Sequence, residues 1–263
     1  MTGEQVLADA VSAYRSALGE RLAAAYALGS LAHGGFSPLV SDVDLGLILS
    51  DPVHSGDART IQAVADTEKA RGAQLAQRLS VFWGTPSTLR GEHEGGRFPA
   101  LDRLDLLDHG RLLAGRDARS TVSRPSTPEL LISGAEFAIE QLSGEEMRRP
   151  ELLIARGVRR VTKVVLFPVR FMFTAATGQV GTNHDAVSYH LEREGAPASE
   201  LVATALAWRI AGPVDPRPAA ELLRGQMVPL YLYYIDDHVT RLSSLGRGEL
   251  VRSFELWRAR LTR

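Results

Sequence analysis

The chain has 263 residues, of which 44% are hydrophobic and 23% charged, with a formal net charge of −1. That balance is ordinary for a globular protein and supplies no global basic field, so a DNA or tRNA partner gains no support. Cysteine is absent, which excludes disulfides and thiolate metal sites. No apolar run reaches the roughly 18 residues of a membrane span. The opening MTGEQVLADAV lacks the basic and apolar regions of a signal peptide, so a soluble, cytoplasmic protein is expected. Oligomeric state is not legible in the sequence.

Apolar positions at Val6, Leu7, Ala10, Val11, Tyr14, Leu18 and Leu22 keep helical spacing and predict an amphipathic helix over residues 4–24. Residues 26–28 then read as a short buried strand running into Gly29-Ser30, and residues 31–40 as a turn-prone segment with Gly34, Gly35 and Pro38. Residues 41–49 alternate. In a strand, successive side chains point to opposite faces. Val43, Leu45, Leu47 and Leu49 therefore share a buried face, and Asp42 and Asp44 share the other. Two carboxylates held side by side repel unless a cation or a shared proton intervenes. Hard oxygen ligands of this kind suit Mg²⁺, which takes one or two carboxylates plus substrate phosphates.

Ser50-Asp51-Pro52 breaks the structure, and residues 57–78 predict a second helix. Residues 79–83 read as a strand that carries Ser80 and Trp83 but no acid. Trp83 would either stack on a base or substrate ring or fill the core. The next acids are Glu92 and Glu94 in a polar loop, then Asp102, Asp105 and Asp108. Asp102 and Asp105, three apart, share a face if their segment is helical. That face is either plainly solvated or part of the site. Residues 110–117 predict a last short strand. The proline-bearing stretch 123–129 is the clearest linker and divides the chain into residues 1–122 and 123–263. Helices are predicted over 128–142, 151–177 with a kink at Pro168, 183–194, 198–211, 217–243 interrupted at Pro229, and 248–262: a bundle.

Gly29-Ser30, three residues, Gly34, six residues and then Ser41-Asp42-Val43-Asp44-Leu45 resembles the signature of the DNA polymerase β-like nucleotidyltransferases. The fold class this implies is α/β (α+β): a polymerase β-like nucleotidyltransferase domain with a mixed sheet and helices on one side, followed here by an α-helical bundle domain. It also implies Mg²⁺ at Asp42 and Asp44 and nucleotide contacts at Gly29, Ser30, Gly34 and Ser41. Transfer of a nucleoside monophosphate from an NTP, with ATP the first choice, would follow. His33 stands where many relatives have Arg; it would reach a β- or γ-phosphate but carry charge only part of the time near neutral pH. Family members also place a third carboxylate on the strand here read as residues 79–83. Its absence makes Asp102 or Asp105 the stand-in catalytic acid, or leaves the protein inactive.

Residues 110–117 resemble the end of the transferase domain in aminoglycoside-type members. Residues 170–189 are similar to a stretch in the helical domain of streptomycin/spectinomycin adenylyltransferases, with Asn183 in place of the usual basic residue. This resemblance implies a helical domain that caps the Asp42/Asp44 site and selects a small-molecule acceptor, such as an aminoglycoside-like compound. Asp185 and the pair Asp236-Asp237 would favour a polycationic acceptor, or else cap helices and solvate the surface. A helical ribonuclease is excluded, since none of the seven histidines follows an Arg by five positions. Zinc is unsupported, because no histidine pair has ligand spacing. Two rivals to the small-molecule enzyme stand: a non-catalytic nucleotide-binding sensor or partner protein, and a transferase acting on a protein or tRNA.

Overall fold

The computed structural model describes residues 1–213 and 215–263. Helix α1 (Gly3–Leu18) begins at a reciprocal cap: the Thr2 hydroxyl accepts the Gln5 N–H, and the Gln5 side chain accepts the Thr2 N–H. The spacing carries this helix to residue 24, but Gly19 at φ +53° ends it, and Leu22 already belongs to β1 (Leu22–Leu28). A single helical turn, α2 (Ser30–His33), and a loop lead to β2 (Val43–Leu49). Helix α3 (Asp57–Ala70) stops short of residue 78, where Gly72 at φ +82° turns the chain toward β3 (Leu79–Gly84). The capped turn α4 (Pro86–Leu89), helix α5 (Ala100–His109) and strand β4 (Arg111–Gly115) follow.

The four strands lie in the order β3-β2-β1-β4. β1 is antiparallel to β2 and to β4, while β2 is parallel to β3, so the sheet is mixed. A parallel pair needs a crossover, and α3 supplies it. Val43, Leu45, Leu47 and Leu49 enter one core with Val81 and Trp83, closed by Leu7 and Tyr14 of α1 and Ile61 and Ala65 of α3. The Tyr14 hydroxyl donates to Ile61 O at 2.9 Å and ties those helices together. Slipping β2 by one residue would exchange its aliphatic side chains for Asp42 and Asp44. Each lost aliphatic burial costs about 1.5–3 kcal/mol, so the register is firmly set.

The family resemblance implies helices on one side of the sheet; here both sides are covered. Ala24, Tyr26, Leu28, Ile48 and Phe82 build a second core with Leu89 of α4, Leu106 of α5 and Val122. The cause is β1, LAAAYAL, which is apolar on both faces. By alternation, Asp44, Gly46 and Ser80 belong to this second face, the one that α5 covers.

The chain forms two compact units, Met1–Pro125 and Ser126–Arg263. The second is helical. In α6 (Thr127–Leu142), Ser126 and Glu129 form a capping box. The single helix expected over 151–177 is two, α7 (Pro150–Ala155) and α8 (Val158–Thr177), split at Gly157 with φ +85°. Helices α9 (Asn183–Glu192), α10 (Ser199–Ala211), α11 (Pro216–Ser244) and α12 (Gly248–Leu261) complete the unit.

α8 runs through Pro168 and α11 through Pro229, so the interruption expected at Pro229 does not occur. At Pro168 the structure shows why the helix persists. Proline leaves the carbonyl four residues earlier, Val164 O, without its helical donor. The hydroxyl of Tyr231 on α11 donates to that oxygen at 2.7 Å. Among the described residues, no helix is long and apolar enough to cross a membrane.

Candidate active site

Gly29 joins β1 to α2 at φ +60°, a conformation that suits glycine. A Cβ there would overlap Oδ2 of Asp44. The missing side chain is what lets the Asp44 carboxylate lie against the turn. Asp42 immediately precedes β2, and both acids are half-buried. In the sheet, Asp44 pairs with Leu28 on one side and with Ser80 on the other. Paired residues share a face, so Ser80 stands beside Asp44 where the resemblance leads one to look for a third carboxylate.

The backbone of Gly29 is pinned at both ends. Its N–H donates to Oδ2 of Asp105 at 2.5 Å, and its carbonyl accepts the N–H groups of Ala32 and His33 at 2.9 and 3.0 Å. Asp105 is 7% exposed, and its Oδ1 makes no hydrogen bond among the described residues. Asp102 lies one turn earlier on the same face of α5, half-buried, as the spacing predicts. His33 ends α2 with its ring 5.6 Å from that of His109, edge-on. Ser41 is 6% exposed; its hydroxyl accepts the Ser37 N–H at 3.0 Å, and its own N–H donates to Ser37 O at 2.8 Å. It thereby braces the loop that delivers Asp42. Gly34, at φ +93°, is exposed, with open space where a Cβ would stand; its backbone conformation is what calls for glycine.

No three Asp, Glu or His side chains converge as a protein-only metal cage would require, among the described residues. The Asp44 carboxylate against a glycine turn, with Asp42 two residues before it, fits Mg²⁺ instead, which keeps its other positions for water and phosphate oxygens. The room that Gly29 leaves at Asp44 Oδ2 is the local observation that agrees with such an ion.

The role of Asp117 escaped the sequence reading. Its Oδ1 accepts the Tyr26 hydroxyl proton at 3.0 Å, and the same hydroxyl oxygen accepts the Ala118 N–H at 2.6 Å. Hydrogen bonds from Arg119 hold the Asp117 carboxyl well below the usual carboxylate range. Burial, chiefly, pushes the Tyr26 phenol up to about 12. This knot anchors β1 two residues before its end at Leu28, hence close to Gly29. An aspartate after a strand motif and a tyrosine within an apolar run were its only signals.

Trp83 takes the packing role of its two alternatives: it is 8% exposed within the α1–α3 core, while its backbone bridges to Arg97. The stacking role gains nothing from that position. In the second unit, Asp185 is exposed and serves the start of α9, accepting the Thr182 hydroxyl at 2.7 Å while its N–H donates back at 3.1 Å. Asp237 pairs with Arg241 at 2.9 Å and Asp236 with Arg258 at 3.4 Å. Each of these acids thus has a capping or ion-pairing contact.

No family model matches the chain, and no curated protein matches its sequence. Its structure is similar to that of the spectinomycin adenyltransferase AAD(9) from Enterococcus faecialis, solved with ATP and spectinomycin. The two are 12% identical, and the match covers 99% of each chain with a TM-score of 0.59. Identity that low carries the architecture and nothing finer. The chain shares the architecture of that adenyltransferase, a mixed sheet followed by a helical region, over its full length.

Proposed function

We propose that this protein is a Mg²⁺-dependent nucleotidyltransferase that moves AMP from ATP to a hydroxyl of a small, aminoglycoside-like acceptor. The observation that carries the proposal is the Asp44 carboxylate lying in the gap left by Gly29, with Asp42 two residues before it. Asp42 and Asp44 would hold the ion. When bound, it would offset the charge of the triphosphate and of the departing pyrophosphate. The Gly29 N–H already serves Asp105, so within this turn the phosphate contact falls to Ser30, with His33 at its far end.

In the reaction, the acceptor oxygen bonds to the α-phosphorus, the bond from that phosphorus to the bridging oxygen breaks, and pyrophosphate leaves. The hydroxyl proton goes to a carboxylate. Ser80 cannot take it as a base; Asp102, on the same face of α5 as Asp105, is the proposed recipient. Most of the rate enhancement would come from positioning and charge neutralisation.

The test is pyrophosphate release from ATP with a panel of hydroxyl-bearing aminoglycosides. Asp42→Asn and Asp44→Asn should each lower turnover by on the order of 10²-fold or more, with an unchanged circular dichroism spectrum. Undiminished turnover in either variant would sink the assignment. The serine beside Asp44 favours a second reading, a non-catalytic binder of Mg²⁺–nucleotide. Calorimetric ATP binding with no pyrophosphate from any acceptor would select it.

A further inference from the structure

We propose that α5 is a clamp on the turn that follows β1, with Asp105 as a positioning residue for nucleotide binding rather than a metal ligand or proton acceptor. The proposal rests on the nucleotide-binding reading above and deepens it. Helix α5 touches both ends of the short segment from Gly29 to His33. At one end, Asp105 Oδ2 accepts the Gly29 N–H at 2.5 Å. At the other, the ring of His109 meets that of His33 edge-on at 5.6 Å. Asp105 and His109 are four residues apart on α5, hence neighbours on one helix face.

Burial shields a hydrogen bond from competing water. Asp105 is 7% exposed, so its bond to Gly29 is shielded in that way. The bond fixes the Gly29 peptide at φ +60°, and Asp44 Oδ2 fills the space where a Cβ of the same glycine would stand. One residue thus couples α5 to the Asp44 carboxylate that would hold the ion and to Ser30. Loosening the clamp would let the turn rotate and cost nucleotide affinity before it cost chemistry. The absence of any convergent trio of acids and histidines among the described residues argues against Asp105 as a third ligand.

The experiment uses the full chain with Mg²⁺ and a nonhydrolysable ATP analogue, and compares Asp105→Ala, Asp105→Asn and His109→Ala. Asparagine keeps a carbonyl oxygen that can accept the Gly29 N–H; alanine does not. Asp105→Ala should weaken analogue binding about tenfold, the order of one lost buried hydrogen bond. Asp105→Asn should restore most of that loss and leave the pH–rate profile of transfer unmoved. His109 is exposed, so His109→Ala should fold and weaken binding about two- to threefold. The ¹⁵N–¹H resonance of Gly29 should lie downfield in the wild type and in Asp105→Asn, and shift upfield in Asp105→Ala. An asparagine variant that binds normally but loses turnover along with its acid limb would make Asp105 the proton acceptor and overturn the proposal. Unchanged affinity and an unmoved Gly29 resonance in Asp105→Ala would also overturn it. A wild type that neither binds the analogue nor releases pyrophosphate would defeat the functional reading, while the Gly29 resonance would still judge the clamp.

Discussion

The two units place their buried polar groups differently. In the first, those around the sheet sit at strand ends and hold loops, apart from Tyr14, which ties α1 to α3. Asp105 takes the Gly29 N–H, Tyr26 meets Asp117, and Arg21 reaches Asp57 at 2.5 Å and Ser50 O at 2.6 Å just past β2. In the second, they lie inside the helix packing. Glu146, 6% exposed, is paired with both Arg156 and Arg160; Tyr231 serves the carbonyl at the proline; His238, 0% exposed, is packed among Tyr234 and Phe254. The difference teaches where each unit is vulnerable. Losing a polar tie in the first should displace the site, whereas losing one in the second should subtract stability.

Three measurements on the helical unit would break or sharpen this contrast. The largest effect belongs to Glu146→Ala. Removing one partner from a buried ion pair costs about 3–5 kcal/mol, and the lower end applies because Arg156 is 62% exposed and can hydrate. Denaturant unfolding followed by far-ultraviolet dichroism should show that loss; a change under about 0.5 kcal/mol would erase the contrast. Next is Tyr231→Phe, which leaves Val164 O without a donor at the proline and should cost about 1–3 kcal/mol in the same assay. Wild-type stability in that variant would show that the helix needs no substitute donor there.

The smallest and most specific effect is on pH. Burial lowers the His238 pKa, partly opposed by Asp237, whose Oδ2 stands 3.3 Å from Nδ1. Burial likewise lowers that of His190, which is 1% exposed. Both rings are therefore more readily protonated in the unfolded chain, where the pKa is about 6.5. Their stabilising contribution is complete above that value and is lost as pH falls below it toward the folded pKa. Melting temperature should drop between pH 7 and 5, and His238→Phe should flatten the drop. An equal slope in that variant would remove His238 from the account.

How much of this was legible depended on whether the signal was local. β2 was readable because its alternation sorts Val43, Leu45, Leu47 and Leu49 from Asp42 and Asp44 within one strand. β1 was not, since an apolar run on both faces has no period; its early residues were absorbed into the preceding helix, and the second core it supports went unseen. Gly157 was overlooked because apolar spacing continues across it, while its left-handed backbone ends α7 regardless. The paired acids and the glycine-serine turn were visible as a motif. The bond from Asp105 to Gly29 spans 76 residues of chain and exists only once α5 has been laid over the sheet.

The strand order carries a consequence for how the molecule is made. β1 ends up inside the sheet, yet its flank opposite β2 finds a partner only in β4, whose last residue is Gly115. During synthesis, nearly ninety residues must emerge after β1 before that flank is occupied. Until then an apolar strand offers unpaired backbone groups to any neighbouring chain, the situation in which nascent proteins associate wrongly. A nascent chain that has emerged only as far as residue 110 would therefore still expose that flank of β1.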